Sequence, residues 1–491
     1  MTTTITDPSP PGEEPTPATA TTLTSDTTPA GDTATSASDT PEAGATDTRE
    51  STLRPGAALR LLARRVHFLA GLFVAPFLAV LCLSGLAYAF SPQINDLFYS
   101  DKLSVDVQSG PIRPVSEQVA AALAAYPQGS LRTVIPAPEP DRTTQVVLAD
   151  PTLKPGDAFS AEMRTVYVDP YTAQVAGDLV TVSNRPPAQV WLREFHGNLH
   201  LGEPGRLYSE FVASWLPIIV IGGLVLWIGQ RRRKNRVRGL LVPARGLPAG
   251  RPRARALHGP LGLWLAIGLL AVSVTGLTWS TYAGGRVDQL IAALDAKSPS
   301  LGAPKAAVPA GGERISLDRV VDIARAEGLA GQLTLTPPAA EDKPFKVNES
   351  AEGLPVQKDS VAIDPYTGQV TGRMGWQDYP LPAKLTTLGI QAHSGTLLGL
   401  ANQIALGLLA LGTLALLALG YRMWWKRRPA GATFAAAPPT VWRRLPQPVI
   451  FLIVLAIGGL GWAMPVFGVT LVAFVALDTA RAVVRGTGAG R

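Results

Sequence analysis

The 491-residue chain alternates between long apolar blocks and polar stretches. Apolar runs at 66–90, 210–229, 258–281 and 398–421 each come close to the ~20 residues a helix needs to cross ~30 Å of hydrocarbon. A fifth run, 448–480, is too long for one unkinked span and holds Pro465 near its middle. It reads as two short helices joined at Met464-Pro465, with one long tilted helix as the alternative. Two polar segments, about 91–207 and 282–397, lie between the runs. Each carries apolar residues at helical spacing (Val119, Ala120 and Leu123; Val320, Ile323 and Ala324) and then alternating, strand-like stretches. The strands are expected at 143–149 and 165–168 in the first segment, and at 333–336 and 360–363 in the second.

Charge adds the topology. Only 16% of residues are charged, the formal net charge is +7, and the basic residues are clustered. The clusters are Arg54/Arg60/Arg64/Arg65, Arg231 to Arg238, Arg422/Lys426/Arg427/Arg428 with Arg443/Arg444, and Arg481/Arg485. Short loops rich in Lys and Arg stay in the cytoplasm. With the N-terminus inside, every cluster falls inside if 448–480 is a hairpin, whereas a single span there would put Arg481/Arg485 outside. Six spans are therefore preferred to five, and both polar segments lie outside. The basic balance reports topology, and nucleic acid is not an expected partner. Residues 1–50 are Thr, Ser, Pro, Ala, Gly and acids, with no basic residue before Arg49, which predicts a disordered cytoplasmic tail. The single Cys82 lies in the first span and reads as a small packing residue.

An internal repeat organises the rest. Val-Tyr-Val-Asp-Pro-Tyr-Thr-Ala-Gln-Val-Ala-Gly at 166–177 recurs as Val-Ala-Ile-Asp-Pro-Tyr-Thr-Gly-Gln-Val-Thr-Gly at 361–372, turn chemistry between two strands in each copy. His67 is followed by Gly71 and by Ser84-Gly85-Leu86; His258 is followed by Gly262 and by Thr275-Gly276-Leu277 at the same offsets. His196 precedes Gly202 by six residues, as His393 precedes Gly399. Both copies enter the membrane from the same side, so the repeat is parallel, with a pseudo-two-fold axis along the membrane normal.

On these residues the chain resembles a known family over about 60–430. The Asp-Pro-Tyr-Thr-Gly-Gln-Val hairpin after an α-β-β pattern is similar to a PepSY domain. The order His67-Phe68-x-x-Gly71, Pro76-Phe77, Ser84-Gly85, His196, Gly202, His258 and Thr275-Gly276 resembles the PepSY-associated transmembrane family. That resemblance implies an iron-regulated membrane protein, or a dihaem reductase of ferric siderophores.

The five histidines all lie near a membrane boundary. His67 and His258 begin spans one and three on the cytoplasmic side; His196, His200 and His393 precede spans two and four outside. The two-fold axis pairs His67 with His258 and His196 with His393. Two neutral imidazoles facing each other from different helices are what bis-histidine haem ligation needs, here at two depths. Gly71 and Gly262, one turn beyond their histidines, would let a flat macrocycle approach. Taken singly, each histidine reads as readily as a snorkelling or hydrogen-bonded interfacial residue; the pairing points to iron ligation. His200 has Leu397 as its counterpart, and is four residues from His196. It replaces His196 as a ligand, lines a substrate site, or does neither.

No Cys-x-x-Cys-His is present, which leaves b-type haem by elimination. Metal-ion transport is disfavoured because the first four spans are read as free of Asp and Glu. No Gly-x-Gly-x-x-Gly, Walker sequence or His-Glu-x-x-His occurs. An electron donor would then be a quinol or a separate reductase. Trp191, Tyr167, Tyr171, Tyr366, Trp376 and Tyr379 read as core or interface-belt aromatics, with a substrate platform as the minor reading.

The expected fold is a membrane all-α helical bundle with two small α+β PepSY-like extracytoplasmic domains. It divides as tail 1–55, first span 60–92, first outer domain 93–186, histidine segment and second span 187–230, and basic loop 231–256. The third span at 257–283, second outer domain 284–380, histidine segment and fourth span 381–422, basic loop 423–446 and hairpin 447–482 follow. The expected function is electron transfer through two b-type haems across the cell membrane to an outer acceptor such as a ferric siderophore. The alternative is a non-catalytic scaffold whose outer domains bind an envelope protein or protease.

Overall fold

The computed structural model describes residues 54–157, 159–230, 236–244, 246–302, 304–428, 438 and 445–488. The expected tail lies almost wholly outside these residues, as do the start of the 231–256 loop and most of 423–446. The first half runs α1 (Pro55–Ala89), α2 (Ser91–Leu103), α3 (Val115–Ala125), β1 (Ser130–Ile135), β2 (Thr144–Ala149), β3 (Glu162–Val168), β4 (Val175–Val182), α4 (Pro187–Asn198) and α5 (Glu203–Gln230). The second runs α6 (Arg236–Leu241), α7 (Arg251–Leu277), α8 (Tyr282–Ala293), α9 (Leu317–Ala326), β5 (Leu333–Thr336), β6 (Phe345–Glu349), β7 (Ser360–Ile363), β8 (Val370–Met374), α10 (Leu381–Ser394) and α11 (Leu400–Trp425). Helices α12 (Gln447–Ala463) and α13 (Pro465–Gly488) end the described chain.

Helices α1, α5, α7 and α11 are long and apolar enough to cross a bilayer. Much of their apolar surface faces outward; Ile267, for example, is 82% exposed. Such surface is tolerable only against lipid, and the helix satisfies its own backbone groups there. The four close into a ring in the order α1–α5–α7–α11, around Ala70, Val74, Trp215, Ala266, Leu269 and Leu416. Helix α4 packs on α1 and α5, and α10 on α7 and α11.

One expectation fails within this ring. Glu210 lies inside α5, is 1% exposed, and accepts hydrogen bonds from the backbone N–H groups of Tyr282 (3.0 Å) and Ala283 (2.8 Å). Those N–H groups open α8, where no intrahelical acceptor exists, so a carboxylate is matched there by orphan donors and by the helix dipole. The first four spans therefore do contain an acid, used as a cap.

The last apolar run divides at Met464, whose φ of −128° and ψ of 79° are non-helical. Pro465 then starts α13, a position where its missing N–H costs nothing. Gly461 and Gly468 let α12 and α13 approach closely. Helix α13 packs on α5, with Trp215 Nε1 donating to Thr470 Oγ1 at 2.9 Å, and Asp478 pairs with Arg65 of α1.

The two polar segments, read from sequence as two small domains, share one antiparallel sheet of order β4-β3-β2-β1-β5-β6-β7-β8. The order is symmetric about the β1–β5 seam, where Val134 pairs with Leu335. Both residues are fully buried, in one core that also holds Val119 of α3, Val320 and Ile323 of α9, Val166 and Val361. Exposed edges in each half would have invited pairing, and the halves pair with each other. The repeated hairpins turn at Asp169 and Asp364. Each carboxylate accepts a backbone N–H two residues on, from Tyr171 (2.8 Å) and Tyr366 (2.9 Å).

Candidate functional site

The bundle has a sheet-bearing end and an opposite end, and a histidine pair lies at each. At the opposite end the rings of His67 (α1) and His258 (α7) have centroids 6.2 Å apart with planes at 78°. Near the sheet, His196 (α4) and His393 (α10) have centroids 6.3 Å apart with planes at 58°. Along α1, His67 and Ser84 are 17 residues apart, which is about 25 Å of helix. The pairs are thus separated by most of a bilayer's apolar thickness.

Each imidazole is held at Nδ1. His67 Nδ1 lies 2.8 Å from the Ile219 carbonyl of α5, and His258 Nδ1 lies 3.1 Å from the Leu416 carbonyl of α11. A carbonyl only accepts, so both rings carry their proton on Nδ1. His196 Nδ1 is 2.9 Å from Ser84 Oγ, and His393 Nδ1 is 2.8 Å from Thr275 Oγ1. Those hydroxyls donate to the Val80 and Ala271 carbonyls, at 2.9 and 2.8 Å. With the hydroxyl proton on that carbonyl, the oxygen accepts from the imidazole, which assigns Nδ1–H to His196 and His393 as well. All four therefore present a Nε2 lone pair, the tautomer a metal takes.

Glycines give these rings room. A Cβ at Gly85 would lie 3.0 Å from His196 Cε1, one at Gly276 3.4 Å from His393 Cε1, one at Gly223 3.0 Å from His67 Cε1, and one at Gly420 3.8 Å from His258 Cε1. Gly71 borders open space, with nothing within 4 Å of a Cβ built there, and Gly262 would meet only Leu416 Cδ2 at 3.8 Å.

His200 is not brought to the pair. Helix α4 ends at Asn198, and Leu199 and His200 both take left-handed backbone angles, φ 53° and 56°. The expected continuation of one helical face is broken there. His200 instead packs on Trp191 and Phe195, with Nδ1 3.3 Å from Glu194 Oε2.

Sequence reading missed the Ile219 and Leu416 carbonyls and Gly223 and Gly420. Each couple is separated by 197 residues, the offset of His196 and His393, so the repeat carried the signal. It also missed Trp279, edge-on to His393 at 5.5 Å.

Two imidazoles that shared one ion through Nε2, at about 2 Å each, could have ring centroids about 6 Å apart. Both pairs have this spacing. Among the described residues no cluster of three or more His, Cys, Asp or Glu could hold a bare metal ion. A pair of this kind suits a centre that brings its other ligands with it.

A ring of membrane-spanning helices with paired imidazoles at both ends defines a multi-pass helical membrane protein. The chain belongs to the family described as the PepSY-associated TM region, which matches residues 64–427. The match includes all four paired histidines and stops short of α12 and α13. No curated protein matches the chain.

Proposed function

We propose that this protein is a two-haem electron carrier that passes electrons across the cytoplasmic membrane to an acceptor outside, of the ferric-chelate class that includes siderophores. The carrying observation is the spacing of the two histidine pairs, each ring fixed at Nδ1 and free at Nε2. The open space beside Gly71, and the single side-chain contact a Cβ at Gly262 would make, support a planar macrocycle at the His67/His258 level. A bound b-type haem supplies a one-electron iron couple whose potential follows its ligands and their surroundings.

The chain's own residues do the rest. His67 with His258, and His196 with His393, would hold the two haem irons. The Ile219 and Leu416 carbonyls and the Ser84 and Thr275 hydroxyls fix the tautomer, aim Nε2 and raise its basicity. Apolar side chains of α1, α5, α7 and α11 exclude water between the levels. The basic residues at one end of α1 and of α11 support a cytoplasmic His67/His258 end and, with it, a sheet on the outer side. The sheet halves are read as a pair of PepSY-like units. The donor is a quinol or a separate reductase.

The test is a reduced-minus-oxidised spectrum of detergent-purified protein with a haem-to-protein ratio. About two haems per chain, dropping to one in His67→Ala and in His393→Ala, is the expected result. A colourless protein from haem-replete cells would overturn it in favour of the scaffold reading.

A further inference from the structure

The basic loop between α5 and α7 holds a site that the histidine pairs do not use. From residue 211 to 287 the chain carries no Asp or Glu, while 231–256 alone carries ten Lys and Arg. So one-sided a charge leaves each cation open to an anion at the membrane surface.

Helix α6 ends against α7. Trp264 Nε1 of α7 donates to the Leu241 carbonyl at 3.0 Å, and Trp227 Nε1 of α5 donates to the Leu240 carbonyl at 3.2 Å. The last carbonyls of a helix have no intrahelical donor, and beside hydrocarbon they must find one within the protein. Trp227 lies against Gly259, the chain neighbour of His258, where a Cβ would fall 2.3 Å from the indole Cε3. The apolar tip Leu240-Leu241-Val242 is thereby fixed beside the third span.

Past that tip, Val242, Pro243 and Leu247 form one wall of a cleft of about 480 Å³, and Arg253, Ala256 and Leu257 of α7 form the other. Arg253, Leu257 and Trp264 stand at i, i+4 and i+11, which is one face of α7. Leu257 and Trp264 are 38% and 66% exposed, so this face is the one turned to lipid. The cleft thus opens along the bilayer, with its cation toward the helix start and its apolar wall toward the span. Among the described residues Arg253 is the one charged side chain of the lining, and it pairs with no carboxylate. The lining has no carboxyl, imidazole or hydroxyl group either. A quinol, which must hand its protons to a base, finds none here.

We infer that this cleft seats an anionic phospholipid of the cytoplasmic leaflet, with its phosphate on Arg253 and an acyl chain along Leu257, Val242 and Leu247. The guanidinium fork matches a phosphate in geometry and charge. The apolar walls gain from a chain that covers them, which a free phosphate cannot do. A zwitterionic lipid brings its own ammonium among the arginines and loses by it. A seated lipid also braces α6 against α7, and Trp227 and Gly259 carry that contact to the neighbour of His258. The inference is independent of the haem reading.

The test is native mass spectrometry of the delipidated full-length protein in detergent, with three titrants. These are phosphatidylglycerol, phosphatidylcholine with the same chains, and glycerol phosphate. The first phosphatidylglycerol is expected to bind about fivefold more tightly than the first phosphatidylcholine. Arg253→Gln should abolish that preference, whereas Arg251→Gln, outside the lining, should keep it. Leu257→Trp, which fills the cleft, should weaken the first binding event of both lipids. Equal affinity for the two lipids would overturn the inference. So would an equal loss in Arg251→Gln and Arg253→Gln, the mark of a diffuse basic surface. Glycerol phosphate binding as tightly as the lipid would show a free-phosphate site and overturn it too.

Discussion

At the residue scale, the chemistry rests on what each imidazole's second nitrogen is doing. Ser84→Ala and Thr275→Val remove the acceptors of His196 and His393 Nδ1–H, without touching Nε2. On the proposed two-haem reading, either change should lower imidazole basicity and raise the midpoint potential of the outer level alone, as read by a spectral redox titration. Gly223→Val acts at the other level. Its Cβ would fall 3.0 Å from His67 Cε1, so the added side chain must displace the imidazole. On the proposed two-haem reading, haem content should drop to about one per chain, with the remaining spectrum that of the outer centre. Sequence alone displayed Ser84-Gly85 and Thr275-Gly276 as repeated pairs but assigned them no task. Their role depends on α4 and α10 lying against α1 and α7, a tertiary contact that no local pattern encodes. The pairing of the histidines was legible, because a parallel repeat leaves each imidazole only one symmetry mate.

At the scale of single elements, two carboxylates do structural work. Glu210 caps α8 from inside the bundle, so Glu210→Ala should cost about 1–3 kcal/mol and lower the thermal midpoint in detergent. On the sheet, Asp150 accepts from Thr152, through both its hydroxyl and its backbone N–H, and from Arg164 Nε at 2.7 Å. These bonds hold its carboxyl down at about 2, below its ordinary value near 4. A folded-state value below the unfolded one gives stability that is complete above pH 4 and is lost as pH falls toward 2. Amide exchange of β2 and β3 should accelerate across that window, and Asp150→Asn should flatten the response. The strands expected at 143–149, 333–336 and 360–363 lie close to β2, β5 and β7, where alternation is strong. Strands β4 and β8 are the return strands of the two expected hairpins, and β1 and β6 were not expected. Both β1 and β6 carry polar or charged residues, such as Ser-Leu-Arg-Thr in β1, and become strands by pairing rather than by propensity.

At the scale of the whole molecule, the seam between β1 and β5 makes one core of two segments that the sequence presents as separate. Nothing local announces it, because an edge strand carries no mark of its partner. Leu335→Asp would bury a charge at a position with no exposure, in the centre of that seam. Amide protection should fall in β2 and β3 as well as in β6 and β7; a loss confined to β5–β8 would show the halves to be independent. The histidine pairs follow the same division. His67 and His196 come from the first half, His258 and His393 from the second, and each half contributes one member to each pair. A chain of half this length would therefore own two incomplete sites. It could finish them only by meeting a second copy of itself across a two-fold axis, completing both at once.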